Sequence, residues 1–156
     1  GGNRTVGPKQ HEEFKIYEEL FLERVRRVFP HVIWHHCGQN LKEAIQWIAE
    51  DAPGVEAAQF DSPVTQYKMS WSEWFEWAAK TFKGRRCAMN SPTTQLAMFG
   101  TSEQVKDFVG TFIRSTAKHT TAAVMPGCEI GGYTPPDNVT AMIAAAREYG
   151  RYPIKT

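Results

Sequence analysis

Apolar residues in this chain recur at two different spacings, and the alternation between them sets the expected fold. From His11 to about Phe29, apolar side chains fall at Phe14, Tyr17, Leu20, Phe21, Val25 and Val28. That is one face of a helix, with Glu and Arg opposite and Pro30 as the stop. Val32-Ile33-Trp34 is a short apolar run closed by Gly38, as expected of a buried strand ending in a sharp turn. The pattern then repeats. Asn40 with Glu43 reads as a capping box for a helix through Ala49, which Pro53-Gly54 ends. Val55 to Phe60 reads as a second strand, and Ser70 with Glu73 opens a helix through Phe82. Cys87-Ala88-Met89 is a third strand. Thr101 caps a long helix with Val105, Phe108, Val109, Phe112 and Ile113 on one face. Ala122 to Met125 is the fourth strand. Pro135-Pro136 starts a last helix, with Val139, Met142, Ile143 and Ala146 inward and Gly150 as its stop.

Strands that are apolar throughout and alternate with helices indicate a parallel sheet with helices outside it. The expected fold is α/β, about four strands in parallel (βα) units with outer helices, forming one domain over residues 1–156. A closed eight-fold barrel needs roughly 250 residues, so four units amount to a small open sheet or half a barrel. The open edges of a half-barrel are adhesive. A missing N-terminal half-barrel or a second copy of the chain is the expected neighbour. The Gly1-Gly2 start suits a processed end or a piece of something longer.

Composition narrows the class. With 156 residues, 42% of them hydrophobic, the chain can bury a core without disulfides. The net charge is +1 and the largest basic blocks are Arg26-Arg27 and Arg85-Arg86, which gives no nucleic-acid footprint. No apolar run spans a bilayer and no secretory leader is evident, so no membrane partner is expected. Three cysteines, Cys37, Cys87 and Cys128, are then expected as reduced thiols of a cytoplasmic protein. Cys87 reads as a small buried hydrophobe.

His35 and Cys37 lie two apart at a strand end and project to the same side, while His36 points away. An imidazole and a thiolate so placed suit tetrahedral zinc. Cys128 follows the fourth strand, and in a parallel sheet all strands open onto the same face. The first and fourth strands are not neighbours, so a shared ion requires the curvature of a barrel. Tyr67, Trp71, Trp74, Phe75 and Trp77 could line an aromatic pocket, although the spacing of Trp71, Trp74 and Phe75 suits core packing. Trp77 falls off that face and is expected nearer the surface.

His35-His36-Cys37-Gly38, then Pro126-Gly127-Cys128 and Thr134-Pro135-Pro136-Asp137-Asn138-Val139, resemble the C-terminal half of the uroporphyrinogen decarboxylase-like superfamily. The likeness is to its zinc-containing corrinoid methyltransferases, which share a His-x-Cys…Cys signature, and it runs from about Gly7 to Tyr149. Phe99-Gly100-Thr101-Ser102-Glu103 is similar to that family's Gly-Thr-Pro-Glu turn, whereas Asn90-Ser91-Pro92 stands where Asp-Pro is common. The resemblance implies a zinc-dependent methyltransferase, with a small-molecule methyl donor or acceptor and a corrinoid carried by a partner protein. Two thiolates and a neutral imidazole would leave zinc near neutrality, a soft thiol binder and a modest acid. An exchangeable fourth ligand is expected, with Asp61 and Glu129 the nearest candidate carboxylates. The bland alternatives are a loop cap for Asp61 and a solvated charge for Glu129. A tetrapyrrole decarboxylase and a non-catalytic half-barrel subunit are the competing expectations.

Overall fold

The computed structural model describes residues 7–154. Four strands form a parallel sheet in sequential order: β1 (Val32–His36), β2 (Val55–Phe60), β3 (Cys87–Asn90) and β4 (Ala122–Val124). Each is followed by helix, because a parallel return must cross the sheet's face. The helices are α1 (Pro8–Val25), α2 (Lys42–Glu50), α3 (Trp71–Phe82), α4 (Thr94–Phe99), α5 (Ser102–Thr116) and α6 (Pro136–Tyr149). This is the α/β arc expected of half an eight-stranded barrel. The six-residue α4 went unpredicted, being too short for a periodic signal; Thr93 caps it by accepting from the Leu96 N–H.

The sheet has two unlike faces. Trp34, Ala58, Phe60 and Ala88 point to the helices, where Phe60 meets Trp74, Phe75 and Phe82 edge-on or tilted. The register pairs His35 with Gln59, Gln59 with Met89 and Met89 with Ala123. By alternation these positions, with Ile33, Ala57 and Cys87, line the concave face. Capping boxes at Ser70/Glu73 and Thr101/Gln104 start α3 and α5. α5 buries Val105, Val109, Phe112 and Ile113 as its periodicity predicts.

Two helix faces differ from expectation. α1 ends at Val25, and 26–28 form a turn, since the residues before Pro30 are disfavoured from continuing the helix. Of its expected inward stripe, Phe14, Tyr17, Leu20 and Phe21 are all more than half exposed, and the helix buries His11 and Leu22 instead. Its inner side meets α2, where Trp47 donates to Glu19 (3.1 Å) and packs edge-on against His11 and Trp34. In α6, Ile143 is exposed, while Asn138, Met142 and Ala145 turn inward and Ala146 faces Ile113 and Val124 across a cavity, as expected. Asn138 donates to Ala97 O and Gly100 O and accepts from Ser102 Oγ, drawing the helix start onto the turn before α5.

The aromatic run of α3 is mostly core. Trp74 and Phe75 are fully buried. Trp77 is half-buried, stacked on Trp74 at 5.1 Å with Lys42 Nζ over its ring. No helix among the described residues is long and apolar enough to cross a membrane.

Core and rim positions predict opposite mutational responses. Phe60→Ala is expected to cost about 3–5 kcal/mol, and Phe14→Ala on the exposed face of α1 less than about 0.5 kcal/mol. Urea denaturation of the two variants measures both.

Candidate metal centre

The strand alternation places His35 at the penultimate position of β1 with Cys37 immediately beyond the strand. Both therefore open onto the concave face. Gly38 then turns the chain at φ 82°, a conformation that favours glycine. Cys128 arrives from the far edge of the sheet. Three strand spacings separate β1 from β4, about 14 Å if the sheet were flat, yet Cys37 Sγ and Cys128 Sγ are 3.5 Å apart. Cys128 Sγ is 3.9 Å from His35 Nε2, and all three donor atoms lie within 4.8 Å of one another. Curvature and an inward-leaning loop after β4 bring them together.

The sulfur–sulfur and Cys128–His35 separations are close to those of a tetrahedral ion. Bonds of about 2.3 Å to sulfur and 2.0–2.1 Å to nitrogen imply edges of about 3.8 Å between sulfurs and about 3.6 Å between sulfur and nitrogen. The donor set is also soft, which suits zinc over magnesium or calcium. His35 is exposed and both thiols are half-buried, so the open side admits a further ligand. The Cys37 thiol is held above its ordinary pKa, first by its hydrogen bond with Cys128, then by burial and by the charges of Cys128 and Asp61. Ionising both thiols at this spacing without a cation sets two negative charges side by side.

His36 faces the helices, as expected from alternation. Burial pushes its pKa down to about 4, so it stays a neutral packed imidazole. Neither Asp61 nor Glu129 belongs to the three-residue cluster. Asp61 follows β2, and its carboxylate oxygen lies 3.4 Å from where a Cβ on Gly127 would stand, against the Cys128 loop. Its backbone accepts from Trp74 Nε1 (2.7 Å). Glu129 is exposed beside Cys128. Cys87 lies on the concave face outside the cluster, and burial raises its thiol pKa.

Two residues that hold this region together were not connected with the site from sequence. Asn40, expected to cap α2, does not: the cap is Leu41, with no side-chain cap bond. Asn40 is fully buried. Its Nδ2 donates to His36 O (3.1 Å) and Gly38 O (3.0 Å), and its Oδ1 accepts from the Asp61 N–H (2.7 Å). Gln59 is also buried, and its Nε2 donates to Pro126 O at 2.7 Å. A glutamine between Ala58 and Phe60 at the end of the strand Val55–Phe60 was the signal available. Arg86, at the opposite end of β3, donates to Ile48 O and Ala52 O and so serves the end of α2 rather than the open face.

The uroporphyrinogen decarboxylase (URO-D) family model matches residues 2–149. The chain belongs to that family. Among solved structures, a methyltransferase from Methanosarcina mazei superposes with a TM-score of 0.71 at 20% identity, over 96% of this chain and 40% of that one. At that identity the likeness establishes the fold, and this chain spans well under half the length of the matched protein. No curated protein matches. Within this URO-D chain, the parallel sheet and its outer helices account for the arc, while the His35, Cys37 and Cys128 donors account for its candidate chemistry.

Gly38→Ala is expected to cost about 1–2 kcal/mol by placing a Cβ in left-handed backbone. It should also weaken cobalt(II) binding, because the strained turn carries Cys37. Urea unfolding and a cobalt titration followed at the thiolate charge-transfer band check the two effects.

Proposed function

We propose that this URO-D chain carries the zinc centre of a methyltransferase that moves a methyl group between a small methylated substrate or thiol and a corrinoid carried by a partner protein. The observation that carries the reading is the convergence of two thiols and an imidazole, from opposite edges of the sheet, at the spacing of a tetrahedral site. The methyltransferase fold neighbour supports it. When bound, zinc would lower the pKa of an arriving thiol or draw charge from a leaving oxygen.

The chain's own residues do the rest. His35, Cys37 and Cys128 hold three positions and leave one side open. Asp61, close enough for its charge to act on Cys37, is the carboxylate we assign to take the proton an arriving thiol gives up or to move into the fourth position. Glu129 faces solvent and is a weaker candidate for the same place. The apolar strand positions Ile33, Ala57, Met89 and Ala123 bound the concave floor and favour a small, weakly polar group there.

The family's decarboxylase chemistry is the alternative. A substrate with several carboxylates needs basic groups on the concave face, but the strand positions there carry no Lys or Arg among the described residues, and Asp61 would repel it.

We further propose that the rest of the barrel wall comes from four more strands with three helices. Each end of this arc already carries a helix, α1 beside β1 and α6 beside β4. A second copy would set its α1 over the same seam as α6, so a complementary half fits better than self-association.

Elemental analysis tests the reading. The purified reduced chain is expected to hold close to one zinc per molecule, lost in Cys128→Ser. Metal-free wild-type protein that takes up no zinc on titration would remove the reading and leave the decarboxylase or a non-catalytic half-barrel.

A further inference from the structure

β2 contributes no donor atom to the cluster, yet both thiol-bearing turns are hydrogen-bonded to it or to the loop that follows it. On the Cys37 side the tie is Asn40. Its side chain brackets Cys37 by binding the carbonyls of His36 and Gly38, and fastens to the Asp61 N–H. Its backbone adds Asn40 N–H to Ser62 O (2.7 Å) and accepts from the Val64 N–H. On the Cys128 side the tie is Gln59, which donates to Pro126 O two residues before the thiol. The Gly127 N–H adds a bond to Pro92 O (3.0 Å).

We infer that Gln59 and Asn40 are positioning residues that set the Cys37–Cys128 spacing through β2. The inference rests on the zinc reading for its function, though not for its geometry. Gln59 is the informative member because it is locally unfavourable. Its Oε1 is buried without a hydrogen-bond partner among the described residues, and an unsatisfied buried acceptor is costly. For stability alone, an apolar side chain of similar size would serve β2 as well or better. What the amide adds is one directed bond to the loop carrying Cys128. Without it that loop keeps the Gly127 and Met125 backbone bonds to β3 and its following turn.

The test uses Gln59→Leu in a Cys87→Ser background, with two readouts. Cobalt(II) affinity, by competition with a chromophoric chelator, should fall about tenfold or more, as loss of an outer-shell contact does elsewhere, with a changed thiolate-to-cobalt band. In the metal-free chain, the equilibrium of Cys37 and Cys128 with oxidised glutathione is followed by alkylation and mass spectrometry. There, disulfide formation with release of two reduced glutathiones should become about tenfold less favourable, a 1.4 kcal/mol change, while the urea midpoint is unchanged or higher. Where Gln59→Leu lowers the midpoint, Gln59→Met, whose unbranched chain fills the same space, is read in its place. An unchanged thiol equilibrium in the folded variant would overturn the positioning role. A parent that binds no cobalt would instead defeat the zinc reading, and the thiol equilibrium would still decide the role of Gln59.

Discussion

Everything in this chain follows from a parallel sheet laid down in sequential order. Parallel neighbours cannot be joined by a hairpin, so every strand must be followed by a helix that returns the chain. All four strand ends then open on one side, where a loop can carry a chemical group without disturbing the core. The same constraint puts Arg86 and the end of α2 at the other side, remote from the site. It also forces the sheet to present one face to the helices and leave the other concave.

Curvature converts that arrangement into a site. A flat sheet would hold the loops after β1 and β4 far apart, whereas the bent arc lets Cys37 and Cys128 meet at 3.5 Å. The approach is held by few contacts. Asn40 closes the first turn against the loop after β2, and Gln59 reaches from β2 itself to Pro126. Both polar side chains are buried, where a hydrogen bond is stronger and an unmade one dearer than in water. The cluster's geometry is therefore tied to the interior of the sheet, although its donors stand at a half-open rim.

The apolar rim has the complementary meaning. α1 shows Phe14, Tyr17, Leu20 and Phe21 to the outside, and Ile33 on the first strand is 61% exposed. The four α1 side chains share one helix face by their spacing, the kind of apolar stripe found at interfaces. The opposite flank carries a cavity of about 240 Å³ lined by Ile113, Ala122, Val124 and Ala146. The chain covers 40% of the length of its fold neighbour.

Local chemistry made much of this legible in advance. Apolar runs bounded by Pro and Gly marked the four strands, Ser70/Glu73 and Thr101 marked helix starts, and period two put His35 and Cys37 on one side. Those features depend on residues a few positions apart, so the chain alone determined the α/β alternation and the three candidate donors. What it left open depends on distant partners. The α1 stripe has helical period whether or not anything covers it, so its exposure could not be read from spacing. Asn40 offers the same local signal as a cap or as a clamp, and only the arrival of Asp61 in the loop after β2 chose between them. Gln59 found its acceptor 67 residues away. The meeting of Cys37 with Cys128 likewise required the sheet to bend, because curvature arises from how strands pack together and belongs to no single segment.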